Sequence, residues 1–301
     1  MKVAIVGTGG VGGYLGAMLS TKYDVSMITK ESYLKVFEKD GLTLLDGDSL
    51  IKVAPKFFTT MPKKGEKFDL IIFCTKAYDL EASAKLLKEF ATKDTILFSI
   101  CNGLEYEKSL KEYFPKSFIA SSCIYINSNI VKPGVIRKKG ETFLLIVGQK
   151  EDNTPLLKVK ELFEGARLSV KVTEDIDYEC WKKYIFIVSF GALTALYNKP
   201  MGAVLKDHLS ELRDLFYELK ELANIYDVKI DSALIDGLIQ NAQKNIPYDA
   251  ATSLQLDINS GKKNELEFLV GKAVKLAKSK NFELPILEPI YQKLKEKTNM
   301  S

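Results

Sequence analysis

The first residues able to do chemistry are glycines. Gly7, Gly9 and Gly12 stand in MKVAIVGTGGVGGYLGAML with the spacing G-x-G-x-x-G. Alone, that spacing is a weak signal, because glycines cluster in many turns. After a strand and before a helix it is a phosphate cradle, and each glycine then has its own reason. Gly7 permits a tight turn, Gly9 lets the backbone approach a pyrophosphate, and Gly12 lets helix and strand pack closely. Thr8, Gly10 and Val11 complete the loop. A pyrophosphate would sit at the helix N-terminus, against outward-pointing N–H groups and the positive end of the dipole. Further on, Thr29-Lys30 stand where a site for NAD carries Asp or Glu for the ribose 2′-hydroxyl. A hydroxyl and a cation suit a 2′-phosphate instead, so NADPH is expected. Glu31 weakens that expectation, and Lys30 also reads as a solvated loop lysine.

The second chemical fact is an elimination. The chain has one histidine, His208 in KDHLSEL, among charged residues on what reads as a solvated helix. No metal site is expected. A general acid or base is sought among Lys, Glu, Asp, Tyr and Cys.

The elements that must position these groups follow from the periodicity. KVAIVG is a strand-length apolar run, and VGGYLGAMLSTK carries Val11, Leu15, Met18 and Leu19 on one helix face. YDVSMIT is a second strand. Strand, glycine turn, helix and strand are the context the fingerprint needs. FDLIIFCT and TILFSI read as further strands, with a helix from about Leu80 to Phe90 between them. Their polar ends, Lys76 and Asn102-Gly103, fall at the carboxyl edge of a parallel sheet, where ligands bind. FIASSCIYI reads as a strand, GVIRKKGETFLLIVG as a hairpin turning at Gly140, and LSVKVT as the last strand. Beyond Glu174 the periodicity is helical, around 181–197, 210–226, 232–245 and 264–278, with Asn264 as a cap. The fold class is therefore a Rossmann-type parallel α/β domain over 1–174, followed by an all-α domain over 175–301.

Composition sets the outer bounds. The 301 residues are 46% hydrophobic with a net charge of +4, spread along the chain. That excludes neither a basic pocket nor an anionic ligand, but it does not suggest a nucleic-acid binder. Cys74, Cys101, Cys123 and Cys180 form no C-x-x-C pair and read as buried free thiols in a reducing, cytoplasmic setting. YIFIVSFGALTALY is shorter than a membrane span needs and reads as a buried core helix. No signal peptide is visible. A homodimer is compatible with the helical domain, although no coiled-coil repeat declares one.

Several separate segments, in order, resemble the ketopantoate reductases (2-dehydropantoate 2-reductases). They are GTGGVGG at the start, CTKAYD at 74–79, CNGLE at 101–105, CWKK at 180–183, ATSLQLDINSGKKNELE at 251–267, and the LP of Leu284-Pro285. The resemblance covers nearly the whole chain. It implies NADPH-dependent reduction of ketopantoate to pantoate, in a cleft between a Rossmann domain and a helical domain. It makes Lys183 the catalytic lysine and Glu265 the acid that contacts substrate and lysine. Ser253 becomes a contact to the substrate carboxylate, Asn102 and Lys76 residues near nicotinamide and substrate, and Lys30 the 2′-phosphate cation. From residues alone, Lys183 reads as a snorkelling lysine and Glu265 as part of a charged helix start.

One departure bears on the substrate. Four and eight residues past the lysine, where the family often has asparagines, stand Ile187 and Gly191; Ser189 and Thr194 are the polar residues nearby. A site without those amides is more apolar. A reductase for another 2-oxoacid or ketone is thus a second reading, and a non-catalytic NADPH sensor a third.

Overall fold

The computed structural model describes residues 1–299. It separates into two compact units, Met1–Cys101 with Glu105–Ile176, and Asn102–Leu104 with the chain from Asp177 on.

The first unit opens with β1 (Val3–Val6), α1 (Gly10–Ser20) and β2 (Val25–Ile28). It continues through α2 (Glu31–Asp40), β3 (Leu42–Asp46), β4 (Ser49–Val53), β5 (Phe58–Thr59), β6 (Leu70–Phe73) and α3 (Ala77–Leu87). Then come β7 (Ile96–Ser99), α4 (Tyr106–Tyr113), β8 (Phe118–Lys132), β9 (Val135–Gly148), α5 (Thr154–Gly165) and β10 (Val170–Val172). The sheet order is β4-β3-β9-β8-β7-β6-β1-β2-β5, with β10 beside β9. From β5 to β7 every pairing is parallel, and β7 pairs parallel with the start of β8. Both faces of this parallel core are covered. Val3, Ile5, Leu70 and Ile72 pack on one side, and Ala4, Val6, Ile71 and Phe73 on the other. That is why β1 and β6 read as continuous apolar runs rather than alternating ones.

The sheet is mixed beyond that core, and here one expectation is corrected. GVIRKKGETFLLIVG is not a hairpin but one strand, β9, antiparallel to β8. The reversal lies one turn earlier, at Pro133-Gly134, where Gly134 has φ +78°. Gly140 (φ +66°) sits in a bulge: Ile126 faces Phe143 but Ser128 faces Lys138, so Asn127 alone opposes residues 139–142. A glycine inside a strand marks a bulge as readily as a turn.

The second unit is helical: α6 (Ile176–Tyr197, whose first residue belongs to the first unit), α7 (Met201–Asp207), α8 (Leu209–Ile225), α9 (Ser232–Asn245), α10 (Ser253–Asn259), α11 (Val270–Ser279) and α12 (Leu287–Asn299). α6 carries the apolar stretch at its centre. Ile185, Val188, Phe190, Leu193 and Ala195 are wholly buried, so it is the core helix of its unit. Among the described residues no helix is long and apolar enough to cross a membrane. The helix expected from Asn264 begins only at Val270. Asn264 Oδ1 does accept a backbone bond, from Leu266 N–H at 3.1 Å. It fixes a turn rather than a helix start, because the turn puts the consecutive residues Glu265 and Leu266 both inside. His208 is not on an exposed helix face. It joins α7 to α8, with its ring stacked on Tyr197 at 3.7 Å between centroids.

Candidate active site

In the first unit the glycine turn joins the carboxyl end of β1 to the start of α1. Gly7 has φ +96°, and a Cβ there would lie 3.0 Å from the Cys74 carbonyl oxygen. A Cβ on Gly12 would lie 1.9 Å from Gly7 O and 2.7 Å from Cys74 Cβ. These two glycines let the loop, α1 and the end of β6 fit together. Gly9 differs: nothing lies within 4 Å of its would-be Cβ. It faces open space at the N-cap of α1, which is the room a pyrophosphate needs, so the cradle fits a dinucleotide. The Cβ direction of Gly10 is filled by Ser128 O at 2.5 Å, so its missing side chain serves packing against β8. Val11 is half-buried against the sheet. Thr8 Oγ1 is 2.7 Å from Thr29 Oγ1, and both residues are buried, so these hydroxyls tie the turn to the end of β2.

From β1 the chain enters β2 on one side, leaves for β3 and β4 at the far edge of the sheet, comes back to β5 beside β2, and then enters β6 on the other side of β1. Between β1 and β6 the order therefore reverses, and ligands of open α/β sheets bind at that edge. Lys76 stands there, at the N-cap of α3. Lys30 stands at the N-cap of α2, and its Nζ donates to Asp79 Oδ2 at 2.8 Å. That hydrogen bond, more than anything else, raises the Lys30 pKa. Asp79 is the residue that sequence reasoning passed over. It ends the CTKAYD segment and stands as an acid in the first turn of the helix after Lys76. The Cys74 thiol is pushed up by burial and stays protonated.

In the second unit, Lys183 is half-buried on α6, and its Nζ donates to Asn102 Oδ1 at 2.8 Å. Asn102 follows β7 in the chain but groups with the helical unit. The bond closes a separation of 81 residues. Each partner comes from a separate motif of the sequence. Trp181 and Tyr184, one on either side of the Lys182-Lys183 pair, are locked edge to face at 5.6 Å, and Tyr184 Oη donates to Leu269 O at 2.6 Å. These contacts fix the turn of α6 that carries the lysine. Glu265 is buried, 4% exposed, in the turn before α11. Ser253 is the exposed first residue of α10, whereas the cap is Thr252, accepting from Gln255 N–H at 3.2 Å.

The face of α6 beyond Lys183 is largely apolar. A Cβ on Gly191 would touch Leu254 Cδ2 at 3.4 Å, so Leu254 stands where a longer side chain at 191 would go. Ser189 is wholly buried and its Oγ has no hydrogen-bond partner. Thr194 Oγ1 is used within the fold, toward Phe190 O and Thr252 Oγ1, each at 2.7 Å. Among the described residues no group of three His, Cys, Asp or Glu is arranged to hold a metal ion.

Comparison with known proteins agrees over both units. Residues 3–151 match the family model described as ketopantoate reductase PanE/ApbA, and residues 175–298 match its C-terminal counterpart. A Bacillus subtilis (strain 168) protein described as an uncharacterized oxidoreductase, YkpB, is 26% identical, over 98% of each chain. A 2-dehydropantoate 2-reductase of Pyrococcus horikoshii is 29% identical, over 100% of this chain and 98% of its own. The crystal structure of a PanE/ApbA family ketopantoate reductase from Ralstonia eutropha JMP134 superposes with a TM-score of 0.89 at 23% identity, covering 100% and 99% of the two chains. With both of its units matched in order, the chain belongs to the ketopantoate reductase family, a family of nicotinamide-dependent oxidoreductases acting on CH–OH groups.

Proposed function

We propose that this enzyme reduces ketopantoate to pantoate with NADPH, and that Lys183 is its proton donor. The observation that carries the reading is the Lys183–Asn102 hydrogen bond. When bound, the nicotinamide supplies a hydride to the ketone carbon. Negative charge then grows on the ketone oxygen, and a cation with a transferable proton both stabilises and neutralises it. Asn102 Oδ1 accepts a hydrogen bond from the Lys183 ammonium, which orients the group that donates its proton to the substrate oxygen. Glu265, buried just before α11, supplies the acidic group that contacts substrate and lysine. Ser253 contributes a hydroxyl for the substrate carboxylate. The region 1–174 binds the dinucleotide through Gly7–Gly12, Lys30 and Lys76, and 175–301 supplies the substrate side.

A second reading keeps the chemistry and changes the ketone. Ile187, Gly191 and the Leu254 side chain against it favour a 2-oxoacid with a more apolar tail. Dimeric assembly belongs to the same proposal, since a related ketopantoate reductase of Staphylococcus aureus is described as dimeric.

NADPH oxidation followed by absorbance, with ketopantoate and a panel of bulkier 2-oxoacids, tests both readings. Turnover with ketopantoate that falls by about three orders of magnitude in Lys183→Ala supports the first. Turnover confined to apolar 2-oxoacids selects the second. NADPH binding without turnover on any ketone would leave only a sensor.

A further inference from the structure

Lys30 and Asp79 form an ion pair across the cradle. Lys30 follows β2 and Asp79 lies in the first turn after β6; both strands pair with β1, and the glycine turn grows from the end of β1 between them. The 2.8 Å contact therefore spans the carboxyl edge of the sheet beside the turn. The Lys30 side chain is 67% exposed and that of Asp79 26%, so the pair is open to an incoming ligand and is weakly held. A 2′-phosphate approaching Lys30 meets the Asp79 carboxylate on the same ammonium. A ribose that carries a free 2′-hydroxyl meets an acceptor there instead, the role an acidic residue plays in NAD sites.

We infer that Asp79 sets cofactor discrimination: it competes with the 2′-phosphate for Lys30 and offers an acceptor to an unphosphorylated ribose, so the enzyme accepts NADH as well as NADPH. The inference rests on the NADPH reading of Lys30 given above. It assigns the opposing term to a residue outside the glycine loop, 49 positions along the chain from the lysine.

Calorimetric titration of the whole protein with NADPH, NADH and 2′,5′-ADP tests it without turnover. In Asp79→Asn the two 2′-phosphorylated ligands should bind about fivefold more tightly, from removal of one nearby negative charge at a solvent-exposed site. NADH should bind equally or more weakly. Asp79→Ser, smaller and also neutral, should agree, and thermal melting checks that each variant is folded. Lys30→Gln breaks the same ion pair from the other side, yet should weaken NADPH and 2′,5′-ADP about tenfold and leave NADH unchanged. If Lys30→Gln does this and Asp79→Asn leaves the NADPH to NADH ratio unmoved, the inference is overturned while the reading of Lys30 stands. Equal weakening of both cofactors in Asp79→Asn also overturns it, since the residue then only supports the loop. If Lys30→Gln leaves the ratio unmoved, the 2′-phosphate reading fails and takes the inference with it.

Discussion

A methyl group added at Gly9 and one added at Gly12 should have opposite effects, although both glycines belong to one motif. At Gly12 the methyl would lie 1.9 Å from Gly7 O, against at least 3.4 Å for an ordinary contact, so helix and turn must separate by about 1.5 Å. The second neighbour, Cys74 Cβ at 2.7 Å, blocks the other way out. Overpacking against backbone belongs at the upper end of its range, about 3 kcal/mol. For a unit of this size that lowers the melting temperature by roughly 6–12 °C. At Gly9 the methyl meets nothing, and φ −71° with ψ −167° is extended backbone that alanine adopts freely. Gly9→Ala should melt at the wild-type temperature or a few degrees above, through a less flexible unfolded chain. Its loss appears on titration with NADPH. A methyl in the space of the pyrophosphate forfeits at least one charge-assisted hydrogen bond, about 1.5–3 kcal/mol, or roughly a tenfold or greater rise in Kd. Differential scanning calorimetry and fluorescence titration on the same two preparations suffice. Gly12→Ala melting like wild type would refute the packing argument. Gly9→Ala retaining full NADPH affinity would place the pyrophosphate elsewhere.

The other expectations are briefer. Asn102→Ala should lower kcat by about tenfold to a hundredfold with little change in melting, because it removes orientation from Lys183 while the charge stays; steady-state kinetics beside a thermal melt decides it. Glu218 accepts from Ile286 N–H at 2.8 Å and Leu287 N–H at 2.9 Å, joining α8 to the start of α12, so Glu218→Ala should cost about 1–3 kcal/mol in urea unfolding with cofactor binding unchanged. The Tyr291 phenol is pushed up to about 12, first by burial and then by its hydrogen bonds to Glu267. A raised folded pKa holds the proton more tightly than the unfolded chain does. Its stabilisation is therefore complete below pH 10 and lost between about 10 and 12, with a slope near 1.4 kcal/mol per pH unit. Tyr291→Phe should flatten that part of an alkaline stability profile measured by denaturant unfolding.

What the sequence determined by itself is what short-range chemistry encodes. An apolar run buried on both faces, three glycines at fixed spacing and a helix stripe identify the strand, glycine turn and helix that open the chain, because each depends on residues within a few turns of one another. The long apolar stretch in α6 was legible as a core helix for the same reason. The residue-by-residue pattern also presented Lys183 and Asn102, but as separate motifs. Only the tertiary structure decided that their side chains meet, and that Lys30 faces Asp79, because sheet order and helix packing are set by long-range burial that no local periodicity records. Gly140 is the clearest case of that limit. A turn and a wide bulge ask the same freedom of a glycine, and only the pairing of β9 with β8 chose between them.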